Sequence, residues 1–299
     1  MTVARLALAL VAVAPCAVAQ DAPRPAAMVS VPRLTTLPNS TSELVSIVQR
    51  FNLDQQALNR RYDADDSPAK RKRMREFYDE WRVRLREHDF DRLSQEGRVD
   101  YVLLDNYLIH ELALLDRDAK QRTESAPLLP FADRLLGLQD SRRNLETINS
   151  PALARTLADV AKQVDSLRAL FEAAARGSGA AADSAARPRG TAPRVSRTVA
   201  NRSAEEIDAL RRVMTGWYRF YDGYDPVFTW WTRDPYRKLD SALVRYARTL
   251  RERVVGIRPQ DLANNQGPIV GDPIGADGLK EDLRFEMIPY TAEELIAIA

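Results

Sequence analysis

The chain is poor in the side chains that most often carry metals or covalent chemistry: its 299 residues include one cysteine and two histidines. Cys16 falls in the leader described below, so the exported chain is expected to have no disulfide, thiol nucleophile or thiolate ligand. Glycine is scarce too, at 12 residues beside 17 prolines, which argues against a sandwich or barrel built on many tight turns. Neither charge sign prevails. With 44 Lys+Arg against 42 Asp+Glu there is no global field to draw in nucleic acid or an anionic membrane. No stretch approaches the roughly 18 uninterrupted apolar residues of a membrane span, so no membrane anchor is expected. What is present, 45% apolar and 29% charged residues, excludes disorder of the whole. Long runs rich in Ala, Leu, Arg and Glu predict a mainly helical protein.

The first 19 residues read as an address. Arg5 precedes the apolar run Leu6 to Ala14, and Ala17-Val18-Ala19 has the small residues that signal peptidase accepts, which places cleavage before Gln20 and the protein outside the cytoplasm, secreted or periplasmic. Cys16 raises a lipoprotein alternative, but Pro15 stands where a small residue should precede a lipidated cysteine. Residues 20–39, with Pro23, Pro25, Pro32 and Pro38, read as an extended arm.

From Ser40 onward helical signals dominate. Ser40 and Glu43 have capping-box spacing ahead of an apolar stripe from Leu44 to Leu58, and Ser67-Pro68 opens a second helix carrying Met74, Phe77, Tyr78, Trp81 and Leu85. Ser94 can cap a third, apolar almost all round from Val99 to Leu115, as expected of a helix at the centre of a bundle. Ser150-Pro151 starts a long stripe to Phe171, and the stretch 173–200 reads as a flexible loop. Ser203 and Glu206 form another capping-box pattern. Asp225-Pro226 is expected to end that helix, and Asp234-Pro235 to start the next, running to about Gly256. Residues 40–262 thus read as one helical domain. Around Gly267, Gly271 and Gly275 two short apolar pieces predict a strand or hairpin, and Thr291 with Glu294 caps a last helix. Residues 263–299 accordingly read as the start of a second, incomplete α/β region. The predicted fold class is mainly α: a multi-helix bundle of long antiparallel helices, with a small β element near the C-terminus and a truncated look.

Three stretches carry a family resemblance: Asp100-Tyr101-Val102-Leu103-Leu104, the region Trp217 to Tyr236, and Gly267 to Gly275 followed by Ile288-Pro289-Tyr290-Thr291-Ala292-Glu293-Glu294-Leu295. In order and spacing they resemble the N-terminal half of bacterial family 885 among the domains of unknown function, exported helical proteins of zinc-metallopeptidase character. The resemblance runs from about Phe51 to Ala299. It implies hydrolase chemistry in which a His-Glu-x-x-His helix supplies two zinc ligands and a glutamate that activates metal-bound water. That motif is missing here. The nearest approach, His110-Glu111-Leu112-Ala113-Leu114, has leucine in place of the second histidine, and the only other histidine is His88. No catalytic residue, metal ligand or cofactor is therefore assigned to this chain, although zinc is implied for the full-length family. His110 is read as a hydrogen-bonded core residue.

Other signals are weighed on their own. Lys70-Arg71-Lys72-Arg73-Met74-Arg75 is basic but is followed by Glu76, Asp79 and Glu80, as on a solvated helix face, and no nucleic-acid partner is expected. Nine of the 22 aromatic residues fall between Trp217 and Tyr236, among Asp222, Asp225 and Asp234. Packing at a helix corner explains such a cluster; so does a platform for peptide or glycan. Trp230, Trp231 and Asp272 are the candidate substrate-contact residues. Apolar faces exposed near the C-terminus are expected to favour self-association.

Overall fold

The computed structural model describes residues 42–177, 191–258, 260–261 and 268–299. The expected leader and proline-rich arm, and the centre of the expected loop, lie outside them. Residues 41–299 gather into one compact unit. The described residues are mainly helical and contain no strand. The chain at 268–274, where a β element is expected, takes neither helix nor strand.

Helices α1 (Val45–Arg61), α2 (Pro68–Leu85) and α3 (Gln95–Ser125) enclose a first core of Phe51, Phe77, Tyr78, Leu104, Leu108 and Leu112. The caps follow the local chemistry. Ser67 Oγ accepts from the Lys70 amide, with Pro68 in the first turn, and Ser94 Oγ accepts from the Gly97 amide. Ser40, the other half of the expected capping box, lies outside the described residues; the Glu43 carboxylate crosses to the start of α3 and accepts from the Ser94 amide and, at 2.8 Å, from Ser94 Oγ. Helix α3 is not wrapped on all sides. It buries Leu104, Leu108 and Leu112 but leaves Val99, Val102 and Leu103 about half exposed, because α1 and α2 cover only one of its faces.

The second and larger core lies among α4 (Ala132–Arg143), α5 (Ser150–Gly177), α6 (Arg197–Tyr221) and α7 (Pro226–Thr249), which runs on into a π-helical turn at Leu250–Val255. The four- and three-residue steps Leu157, Val160, Val164 and Phe171 turn one side of α5 toward Ile207, Met214 and Trp217 of α6 and toward Leu239, Leu243 and Tyr246 of α7. Tyr246 has both its ring and its hydroxyl buried, and it donates to the Leu128 carbonyl at 3.1 Å.

Several helix boundaries differ from expectation. α5 is capped one residue early, by Asn149 Oδ1, which accepts from the Ala152 amide, so Ser150 lies in the first turn. α6 begins two turns early: Ser196 Oγ accepts from the Val199 amide, so Ser203 and Glu206 sit within the helix, not at its cap. Asp225-Pro226 starts a helix instead of ending one. The Asp225 carboxylate accepts from the amides of Val227 and Phe228, and Pro226 needs no donor in the first turn. Pro235 then lies inside α7, removing one ladder bond that the packing of its neighbours Thr232, Tyr236 and Leu239 outweighs. Gly223, at φ 81°, turns the chain from α6 into α7.

Two short helices follow, α8 (Gly275–Phe285) and α9 (Ala292–Ile298). Thr291 and Glu294 make both bonds of a capping box. Neither helix has a buried residue. α8 lies on the open side of α3: Asn106 Nδ2 donates to the Phe285 carbonyl at 2.9 Å, and Arg117 pairs with Asp282 at 2.8 Å. No helix among the described residues is long and apolar enough to cross a membrane.

Candidate functional site

The aromatic region between Trp217 and Tyr236 divides in two. Trp217 and Phe228 are fully buried, and Tyr218 stacks on Tyr236 with centroids 4.0 Å apart. These rings form the corner where α6 meets α7. Trp230 and Trp231 lie outside it, 74% and 40% exposed and edge-to-face at 4.8 Å, with exposed Val227 on the same helical turn. The carboxylates of this corner are committed locally. Asp225 caps α7, and Asp222 accepts from the Tyr218 hydroxyl and from Thr229 Oγ1 at 3.0 Å. Two of the three acids beside the aromatic cluster therefore serve the turn.

Asp272 lies elsewhere. Arg202 holds it through two bonds, Nε to Oδ2 at 2.7 Å and Nη2 to Oδ1 at 2.6 Å, while Nη1 reaches Glu124 at 3.0 Å. The guanidinium keeps the Asp272 carboxyl below its ordinary range. Arg202 is in the early part of α6 and the tryptophans adjoin its far end, about 28 Å along at 1.5 Å rise per residue. The three predicted contact residues do not share a site.

His110 stacks on Phe285, centroids 3.8 Å apart and planes 11° from parallel, and its Nδ1 is buried without a hydrogen-bond partner. Packing on α8 replaces the expected hydrogen bond. The adjacent Glu111 points into the first core, where it accepts from the Tyr78 hydroxyl at 2.8 Å; burial raises that phenol far above the usual tyrosine range. Gln55 donates to both Tyr78 and Tyr107, completing a network across α1, α2 and α3. His110 and Glu111 thus diverge, and among the described residues no group of three or more His, Cys, Asp or Glu could hold a metal ion. These residues do not fit a zinc site.

A cavity of about 850 Å³ opens where the two cores meet, between α2, α3 and α6. Its apolar lining comes from Leu115, Leu129, Leu136, Leu210 and Val213. Its polar lining has a definite order of depth. Arg71 and Arg122 are folded inward, with side chains 23% and 25% exposed, while the acids they pair with, Asp133 and Asp66, are 67% and 56% exposed. The inner carboxyl is Glu206. Ser125 Oγ donates to it at 3.4 Å, and burial together with the nearby Asp66 pushes its pKa up to about 7, against the weaker pull of Arg202 and Arg122.

None of these three inner residues stands out in the sequence. Arg71 belongs to the basic run read as a solvated face, and Glu206 to a capping pattern. The usable signal was the register of α6: starting from Ser196, Glu206 falls one turn before Leu210 on the packed side.

Comparison with known protein families, with curated proteins and with solved structures finds no match to this chain.

Proposed function

We propose that the chain is the helical, non-metal part of an exported zinc-metallopeptidase-like protein, supplying a wall of its substrate channel and no catalysis by itself. One juxtaposition carries this reading. The first resembling stretch, on α3, adjoins the chain that leads into the last one. A recess of about 360 Å³ is lined by Tyr101 and Val102 and by Arg284 and Met287, the last of these next to the Ile288–Leu295 stretch. Ile288, Tyr290, Ile296 and Ile298, in the segment that follows, are exposed, apolar side chains suited to a further packing element. Metal analysis and a chelator-controlled peptide-hydrolysis assay on the purified chain test the silent role; stoichiometric zinc or robust chelator-sensitive cleavage overturns it. Coding DNA downstream of Ala299 tests the rest: an in-frame His-Glu-x-x-His supports the reading, and unrelated sequence after a stop overturns it.

The exposed Trp230–Trp231 pair favours a second reading, a non-enzymatic helical module that binds peptide or glycan through these rings. Titration with cell-wall glycan fragments or peptides, read by tryptophan fluorescence, is expected to give a saturable response that Trp230→Ala removes. A flat titration, or an unchanged response in the variant, rejects it.

A further inference from the structure

The cavity between α2, α3 and α6 has the composition of a small-molecule site: an apolar floor, the inward guanidinium groups of Arg71 and Arg122, and one inner carboxyl, with the more exposed Asp65, Asp66 and Asp133 toward solvent and Asp63 held by Arg142 and Arg143. We propose that it binds a small amphipathic anion, a carboxylate or phosphate headgroup on an apolar body. Arg71 and Arg122 would hold the headgroup, Leu129, Leu136, Leu210 and Val213 would cover the body, and Glu206 would act as a proton-dependent hydrogen-bond donor.

The sign of the ligand charge follows from the depth order. Arg71 shares its Nη2 between the two oxygens of Asp133, at 3.0 and 3.2 Å, and donates from Nη1 to the Asp66 carbonyl, while Arg122 reaches the Asp66 carboxylate at 3.2 Å. Such exposed carboxylates contribute about 0–1 kcal/mol as pair partners, so a better desolvated anion can take their place. Planar guanidinium groups match carboxylate and phosphate oxygens in pairs. Burial and the neighbouring Arg71 already lower the proton affinity of Arg122, against the opposite pull of Asp66, Asp118 and Asp133. An organic cation that reached the apolar floor would face these inner guanidinium groups. Arg75 and Arg212 also line the cavity; Arg75 pairs with Asp116, and Arg212 has no partner among the described residues.

The floor sets the second requirement. An inorganic anion would leave the leucines and Val213 uncovered, whereas an apolar body of several carbons removes them from water at about 25 cal/mol per Å².

Glu206 adds a proton linkage. Neutral, its carboxyl can donate to an anionic headgroup; ionised, it repels it. The charged groups around it and in the cavity are Asp63, Asp65 and Asp66 before α2, Arg71, Lys72 and Arg75 on α2, Arg122 on α3, Asp133 on α4, and Arg202 and Arg212 on its own helix. Asp118, beside Arg122 and Asp66, is likewise raised by burial.

Calorimetric titration with decanoate and with decyl phosphate tests the proposal, with decyltrimethylammonium and inorganic phosphate as controls. Saturable binding of one molecule per chain is expected for at least one decyl anion, and comparison of the two distinguishes carboxylate from phosphate preference. From about pH 6 to about pH 8.5 the affinity should fall about tenfold or more as Glu206 loses its proton. Glu206→Gln should flatten that profile, a change that general loss of packing would not produce. Arg122→Gln should weaken binding about tenfold or more, and Arg71→Gln gives the same readout should the first variant melt early. Failure of both decyl anions to bind, equal or tighter binding of the decyl cation or of inorganic phosphate, a pH profile unchanged in Glu206→Gln, or full affinity in both arginine variants would overturn it.

Discussion

The α5–α7 bundle and the segment 268–299 carry equally clear helix signals and have opposite fates. The bundle fully buries Leu157, Trp217, Phe228, Leu243 and Tyr246, whereas no residue of α8 or α9 is more than partly buried. Yet α9 begins with a complete capping box, which the bundle helices lack in favour of single caps such as Ser196 and Asp225. A cap satisfies orphan amides at a helix end and is worth about 1 kcal/mol. Burial of one large side chain contributes several times that, so local signals place helix ends and burial decides which helices are firmly held.

The largest expected effect comes from breaking the bundle. Trp217→Ala should cost about 3–5 kcal/mol in urea unfolding, while Leu279→Ala on α8, where the side chain is 41% exposed, should cost about 1 kcal/mol or less. Equal losses would mean that the two regions are held alike.

Glu206 tests the bundle from within. Its carboxyl is raised from the ordinary 4.5 to about 7, so the fold favours the neutral form. The linked stability is present below about pH 4.5 and is lost as pH rises through 7. Glu206→Gln, which cannot ionise, should therefore be more stable than the parent above pH 7 by about 2 kcal/mol, allowing for partial solvent access. At about pH 4 the two should unfold alike. Denaturant midpoints at both ends of that range check the sign.

A smaller effect is expected at the start of α3. A methyl group at Gly97 would collide with the Glu43 carboxylate that tethers Ser94. Gly97→Ala should thus lose the cross-chain cap and cost about 1 kcal/mol despite alanine's better helix propensity. A thermal melt shifted upward would show that the tether contributes nothing.

The smallest global effect is expected at the α3–α8 contact. Phe285→Ala removes the ring stacked on His110 and should change global stability by about 1 kcal/mol or less. Hydrogen exchange should nevertheless speed up across 275–298 alone, and in the parent protein this segment should already exchange far faster than the middle of α3. Uniform protection would place both regions in one cooperative unit.

The sequence by itself determined the helical class and many helix starts. Ser67-Pro68, Ser94 and Thr291 with Glu294 were legible because a cap is a contact between residues three apart, and the stripes of α2 and α5 because helical period alone assigns a face. The same local logic misled at Ser203 and Glu206 and at Asp225-Pro226, where identical residue patterns fit a helix interior and a helix start. Trp217 and Trp230 look alike in sequence, and only the packing of α6 on α7 buries one and exposes the other. The inward arginines and the raised carboxyl of Glu206 were likewise decided by tertiary structure. Charge depth and desolvation arise between α2, α3 and α6, segments up to about 140 residues apart whose approach no local pattern encodes.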